Sequence, residues 1–136
     1  MLFAFGFNDA SRPDGGGVQV ALQDSVACAR ELMLAAKSES EVLWIGPTPL
    51  DESVNPLLTP FASWNTYNAE IADYDEAYTG QAAQIGVAYL RLFPEFLVSP
   101  RYRDALAAGD GVHPADDGYA LIAERIAGWG SWQCLL

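Results

Sequence analysis

His113, the only histidine in the chain, follows a carboxylate by three residues in Asp110-Gly111-Val112-His113-Pro114. A turn of that length lets the aspartate accept a hydrogen bond from the imidazole, which fixes the tautomer and favours the protonated ring. That is how a general base is prepared for acyl transfer. At the other end, Met1-Leu2-Phe3-Ala4-Phe5-Gly6-Phe7-Asn8-Asp9 is an apolar run that stops at Gly6 and then presents Asn8 and Asp9. An asparagine amide held at the carboxyl end of a buried strand can donate to an oxyanion, and Gly6 would allow close backbone approach there. Asp9 is expected to order the turn rather than do chemistry. The nucleophile is not evident, because no serine stands in a Gly-x-Ser-x-Gly elbow. The plainer readings make His113 a loop histidine bonded to a carboxylate and Asn8 a turn former.

Taken together, these residues resemble the SGNH hydrolases, or GDSL esterase/lipase family. Gly6-Phe7-Asn8-Asp9 is similar to the family's Gly-x-Asn-Asp block, and Asp110 to His113 to its Asp-x-x-His block. Ile45-Gly46-Pro47-Thr48-Pro49, Pro114 and the Gly118-Tyr119 pair also fall where the family tends to have such residues. The family's Gly-Asp-Ser, which carries the serine, occurs nowhere in the chain. The resemblance therefore implies the later part of a family domain, with residues 1–136 forming one N-terminally truncated domain. It implies hydrolysis of short acyl or acetyl esters by Ser-His-Asp acyl transfer, with His113 as base, Asp110 as its partner, Asn8 in the oxyanion hole and no cofactor or metal. Phe7, Pro47, Thr48 and Pro49 are the expected substrate-binding residues. Two rivals are a binding module that keeps the crevice without the nucleophile, and a nucleotide binder or receiver of similar fold. For the latter, Gly15-Gly16-Gly17 lacks the lysine and serine of a phosphate loop.

Composition narrows the partners. Seven Lys+Arg against 18 Asp+Glu leave a formal charge of −11, which repels nucleic acid and anionic lipid surfaces. The longest apolar runs, Met1 to Phe7 and Val42 to Gly46, are far short of the ~20 residues of a membrane helix. A small-molecule ester is the expected partner. Cys28 and Cys134 stand in no metal or redox spacing and read as free thiols. With no basic start ahead of an apolar stretch, the cytoplasm is the expected location.

The elements that must position these groups alternate. Leu2 to Phe7 reads as a fully buried strand, followed by a polar, glycine-rich loop from Ser11 to Gly17. Leu22, Val26, Ala29, Met33 and Ala36 make one helical stripe, and Val42 to Ile45 a second strand. Asp51 to Trp64, with its prolines, reads as an ordered loop walling a pocket. Ile71, Tyr74, Tyr78, Ala82 and Ile85 form another stripe stopped by Gly86, with Asp73, Asp75 and Glu76 on a solvated face. Val87 to Phe93 is the third strand, closed by Pro94, and Glu95 to Gly109 a short helix and loop. A last helix follows, capped by Asp116 or Asp117, with the stripe Tyr119, Ile122, Ile126 and Trp129. Strands separated by helical crossovers must run parallel. The expected fold is α/β, a three-layer α/β/α sandwich with a flavodoxin-like parallel sheet that lacks its N-terminal strand. The first strand is then an edge that invites self-association.

Overall fold

A computed structural model describes residues 1–135. Its main sheet has three parallel strands, β1 (Leu2–Ala4), β3 (Leu43–Ile45) and β6 (Ala88–Leu90), in the order β1-β3-β6. Phe3, Trp44 and Tyr89 are in register across it, as are Ala4, Ile45 and Leu90. Because successive side chains of a strand point to opposite faces, the two rows serve two different layers. On the Trp44 face pack α1 (Leu22–Lys37) and α2 (Asn68–Ile85), through Ala29, Met33, Ile71, Tyr74, Tyr78 and Ala82. On the Ile45 face pack α3 (Phe93–Leu97), α4 (Pro100–Ala108) and α5 (Asp116–Ala127), through Phe96, Tyr102, Leu106, Leu121 and Ile122. A short α6 (Gly130–Gln133) follows. The result is the expected sandwich, and each fully buried aliphatic side chain in its two cores contributes on the order of 1.5–3 kcal/mol.

Several expectations are corrected. β1 ends at Ala4 and is not buried: Leu2 is 44% exposed, because among the described residues the strand is paired on one side only. The Asp51 to Trp64 stretch is not all loop. β4 (Leu57–Leu58) and β5 (Ser63–Asn65) pair antiparallel, and β2 (Arg12–Pro13), inside the supposed glycine-rich loop, joins β5 from the other side. These strands are too short to show alternation, so nothing in the sequence announced this second sheet.

The third strand stops at Leu90, and Pro94 opens α3 rather than closing a strand. Proline suits a first helical turn, where its missing N–H would have had no partner. Asp116 and Asp117 lie in the first turn of α5 but do not cap it, since the N-cap is Ala115 without a side-chain bond. Asp75 is not on a solvated face. It is fully buried, accepting from Tyr89 Oη at 2.8 Å and pairing with Arg91 Nε at 2.5 Å. Gly86 ends α2 in the left-handed conformation, as expected. No helix among the described residues is long and apolar enough to cross a membrane.

Candidate active site

The Asp110 to His113 turn is closed by its own hydrogen bonds. Asp110 Oδ1 accepts from the backbone N–H of Val112 at 2.9 Å and of His113 at 2.6 Å, and Oδ2 lies 2.9 Å from His113 Nδ1. Gly111 takes φ +84°, and a β-carbon there would lie 2.3 Å from Val54 Cγ1. Gly118 lets Pro114 sit on α5, and Ala115 N–H donates to Ala105 of α4 at 2.9 Å, so two helices fix where the turn stands. The backbone N–H of His113 holds the Asp110 carboxyl down to a pKa of about 2, with the imidazole hydrogen bond the next cause. An ionised carboxylate can only accept, so Nδ1 carries the proton in the neutral ring. The other nitrogen, Nε2, is then the basic one, and it makes no hydrogen bond among the described residues.

The Gly6 to Asp9 turn is fixed by the helices behind it. Gly6 has φ +115°, a conformation closed to side chains, and a β-carbon there would lie 2.4 Å from the Tyr78 ring. Residues Asn8–Ala10 form a single 3-10 turn. Asp9 Oδ2 accepts from Ser25 Oγ of α1 at 2.5 Å, and the Tyr78 hydroxyl of α2 shares its one proton between Ser25 Oγ and the same carboxylate oxygen, 3.3 Å away. Burial raises the Tyr78 phenol above its ordinary pKa, so it remains a donor. Asp9 therefore orders the turn, while the Asn8 side chain is exposed and makes no hydrogen bond among the described residues. Ser25 and Tyr78 were missed by sequence reasoning: one was an ordinary position of a helix, the other one more apolar member of a stripe.

Asn8 and His113 stand together on a saddle between two crevices. The first, about 420 Å³, is mostly apolar, with Phe5, Ile45, Pro47, Thr48, Tyr102 and Ile122 in its walls. The second, about 330 Å³, is walled by Gln19, Asn55, Leu57 and Trp64. Phe7, Asn8, Val112 and His113 line both. Of the expected substrate-binding residues, Phe7, Pro47 and Thr48 thus meet at the site. Pro49 does not: it faces a separate hollow beside Asp51 and Arg103, because the chain turns away after Thr48. Gly6 and Asp110 line neither crevice and act from behind Asn8 and His113.

No serine hydroxyl among the described residues bonds to His113, whose side-chain partner is Asp110. Ser11 lines the second crevice but is buried, donating weakly to Phe7 O and accepting from Thr66 Oγ1 at 2.8 Å. No group of three or more His, Cys, Asp or Glu among the described residues could hold a metal ion. Cys28 and Cys134 are exposed and unbridged.

Among solved structures, the chain is similar to the lipase/acylhydrolase from Enterococcus faecalis, with a TM-score of 0.72 at 21% identity over 92% of this chain. At that identity the likeness speaks for the fold. The chain spans 57% of the length of that structure. No curated protein matches it. The sequence profile of the GDSL-like Lipase/Acylhydrolase family matches residues 1–121, a span that takes in both the Asn8 turn and the His113 turn. The chain belongs to the GDSL-like lipase/acylhydrolase family.

Proposed function

We propose that the chain carries the base and oxyanion half of a serine ester hydrolase acting on small-molecule esters with short acyl or acetyl groups. The observation that carries this reading is the Asp110–His113 pair, whose geometry leaves the basic Nε2 uncommitted on the same saddle as the free Asn8 amide. In the proposed reaction a serine from a segment outside residues 1–136 attacks the ester carbonyl while His113 Nε2 takes its proton. The imidazolium is stabilised by Asp110, and Asn8 Nδ2 donates to the oxyanion. The imidazolium then protonates the leaving alcohol, and a water that gives its proton to His113 Nε2 attacks the acyl-serine, releasing the acid and returning the serine hydroxyl. Loss of one such oxyanion donor typically costs ~3–4 kcal/mol of barrier.

The free edge of β1 supports a position for that segment, since a strand added there would end beside Asn8. The same edge would pair copies of the chain when no such strand fills it.

The test is complementation. Residues 1–136 alone should not hydrolyse p-nitrophenyl acetate above background, and the same residues joined to a family segment bearing Gly-Asp-Ser should. In the joined protein His113→Ala should remove nearly all turnover, and Asn8→Ala should lower kcat about 10²- to 10³-fold. A folded, joined protein inactive across acetyl, butyryl and thioester substrates would replace this reading with that of a binding module.

A further inference from the structure

We propose that the tip of the β4–β5 hairpin is a docking device for a zwitterionic phospholipid surface. The docking itself does not depend on the hydrolase reading; only the fate of an ester carried in that surface does.

The first ground is exposure of a particular kind. Phe61, in the turn, is 96% exposed, and Leu58, on the strand that enters it, is 75% exposed. Both stand in the longest uncharged stretch of the chain, the 17 residues between Glu52 and Glu70. Single apolar side chains scattered over a surface need no explanation, but two within four residues at the end of an uncharged projection do.

The second ground is how the turn spends its hydrogen bonds. Thr59 N–H donates to Ala62 O at 3.0 Å, and Thr59 Oγ1 donates to the same oxygen at 2.8 Å. That hydroxyl oxygen accepts from Ala62 N–H at 3.1 Å and more weakly from Phe61 N–H at 3.4 Å. Pro60 has no N–H. Every backbone donor from Thr59 to Ala62 is therefore met inside the turn, so entry into an apolar medium strands none of them.

The third ground is footing. β5 is paired on both sides, Asp14 Oδ1 accepts from Ser63 N–H at 3.0 Å, and Arg12 Nε of β2 donates to Glu70 Oε1 of α2 at 2.7 Å. A braced sheet thus holds the tip out. Leu57, Thr59 and Trp64 of the same hairpin wall the second crevice, which reaches Asn8 and His113, so a surface that takes up the tip is brought alongside that crevice.

Size and charge choose the occupant. A buried phenyl ring covers about 150–250 Å². With Leu58 beside it, the contact stays far below the ~800 Å² per side of a stable protein interface. A lipid surface asks for no such matched area. The formal charge of −11 is repelled by anionic headgroups, and the tip carries no basic residue to offset that. Ser63 and Asp14, bonded together directly behind the tip, are polar, which suits a hydrated headgroup layer rather than bare oil.

The experiment is co-flotation of residues 1–136 with phosphatidylcholine vesicles, with phosphatidylglycerol-rich vesicles and a tributyrin emulsion as comparators. The protein should float best with phosphatidylcholine. Phe61→Asp should weaken flotation about tenfold or more, Leu58→Asp several-fold, and Phe61→Trp should keep it. Val98→Asp is the control: it changes a side chain 76% exposed in the turn between α3 and α4, and should leave flotation unchanged. Circular dichroism confirms the fold of each variant. Absence of flotation by the parent, preference for either comparator, or equal flotation by Phe61→Asp overturns the proposal. So does an oligomer that Phe61→Asp dissolves, since a second copy would then cover the tip. In the complemented protein, Phe61→Asp should slow hydrolysis of tributyrin carried in phosphatidylcholine vesicles and leave that of soluble p-nitrophenyl acetate unchanged. Flotation without ester hydrolysis by the complemented protein would remove the hydrolase reading and leave the docking tip standing.

Discussion

Replacing Gly6 with alanine should impose two penalties at one position. The residue holds φ +115°, outside the left-handed region that L-residues occasionally enter, which costs on the order of 1–3 kcal/mol. The new methyl would also lie 2.4 Å from Tyr78 Cε2. That ring cannot swing aside cheaply. It packs 5.9 Å from Phe5, 4.8 Å from Trp44 and 6.2 Å from Tyr74, centroid to centroid, and its hydroxyl bonds to Ser25 and Asp9. Overpacking of such a site costs about 1–3 kcal/mol more. A loss of about 2–6 kcal/mol in all would lower Tm by roughly 6–24 °C for a domain of this size. Gly15→Ala is the control: its φ of +71° is also positive, but nothing lies within 4 Å of the added carbon, so only about 1 kcal/mol should be lost. Thermal and urea denaturation followed by circular dichroism read both variants. If Gly6→Ala is no less stable than Gly15→Ala, the close contact with Tyr78 does not fix the Asn8 turn.

Other outcomes follow from the same geometry. The folded pKa of Asp110 lies below its ordinary value, so its bonds to Val112 and His113 stabilise the turn fully above about pH 4 and fade as pH falls through about 2. The amide resonances of those two residues should titrate with a midpoint near 2, and one near 4 would refute the closed turn. Ser25→Ala removes the shorter of the two donors to Asp9 and should cost about 1.5–3 kcal/mol, with the Asn8 resonances broadened or shifted; an unchanged Tm and spectrum would make the Asp9 anchor idle. Asp75→Asn should destabilise by about 2–4 kcal/mol because it removes the buried charge paired with Arg91 and turns one of two acceptor oxygens into an NH2, which then faces the donor of either Arg91 or Tyr89. Glu76→Gln, on the exposed arm of the same ion pair, should change stability by less than ~1 kcal/mol, and equal effects in urea melts would contradict the burial argument.

The fold was legible where periodicity ran long. Both long stripes became helices, Leu22–Lys37 and Asn68–Ile85, and the main-sheet strands fell within the apolar runs read as strands. What escaped was decided by contacts between distant segments. The second sheet joins Arg12 to Asn65 and Leu57 to Trp64 in strands of two or three residues, below the length at which alternation carries a signal. Asp75 looked like one more surface acid, and only the approach of Tyr89 and Arg91 from the next strand makes its burial tolerable. At the site, His113, Asp110 and Asn8 stood out by type and spacing, whereas Phe7, Pro47, Thr48 and Pro49 came from the family resemblance, and Pro49 lies at a separate hollow. The second crevice did not, because Gln19 and Trp64 carry no motif and meet only when β5 folds against β2.

The one-sided pairing of β1 also bears on the order in which the molecule comes apart. A strand with a single ladder opens at a lower free energy than its neighbour β3, which is bonded on both sides, so its amides should exchange first. Only Phe5, Gly6 and Phe7 separate Asn8 from that labile strand, yet Asp9 beside it is tied to α1 and α2 through Ser25 and Tyr78. The amide that would meet a developing negative charge is thus moored to the helical layer. Fraying of the edge can expose β1 backbone to solvent or to an incoming strand while leaving that mooring, and with it the saddle, in place.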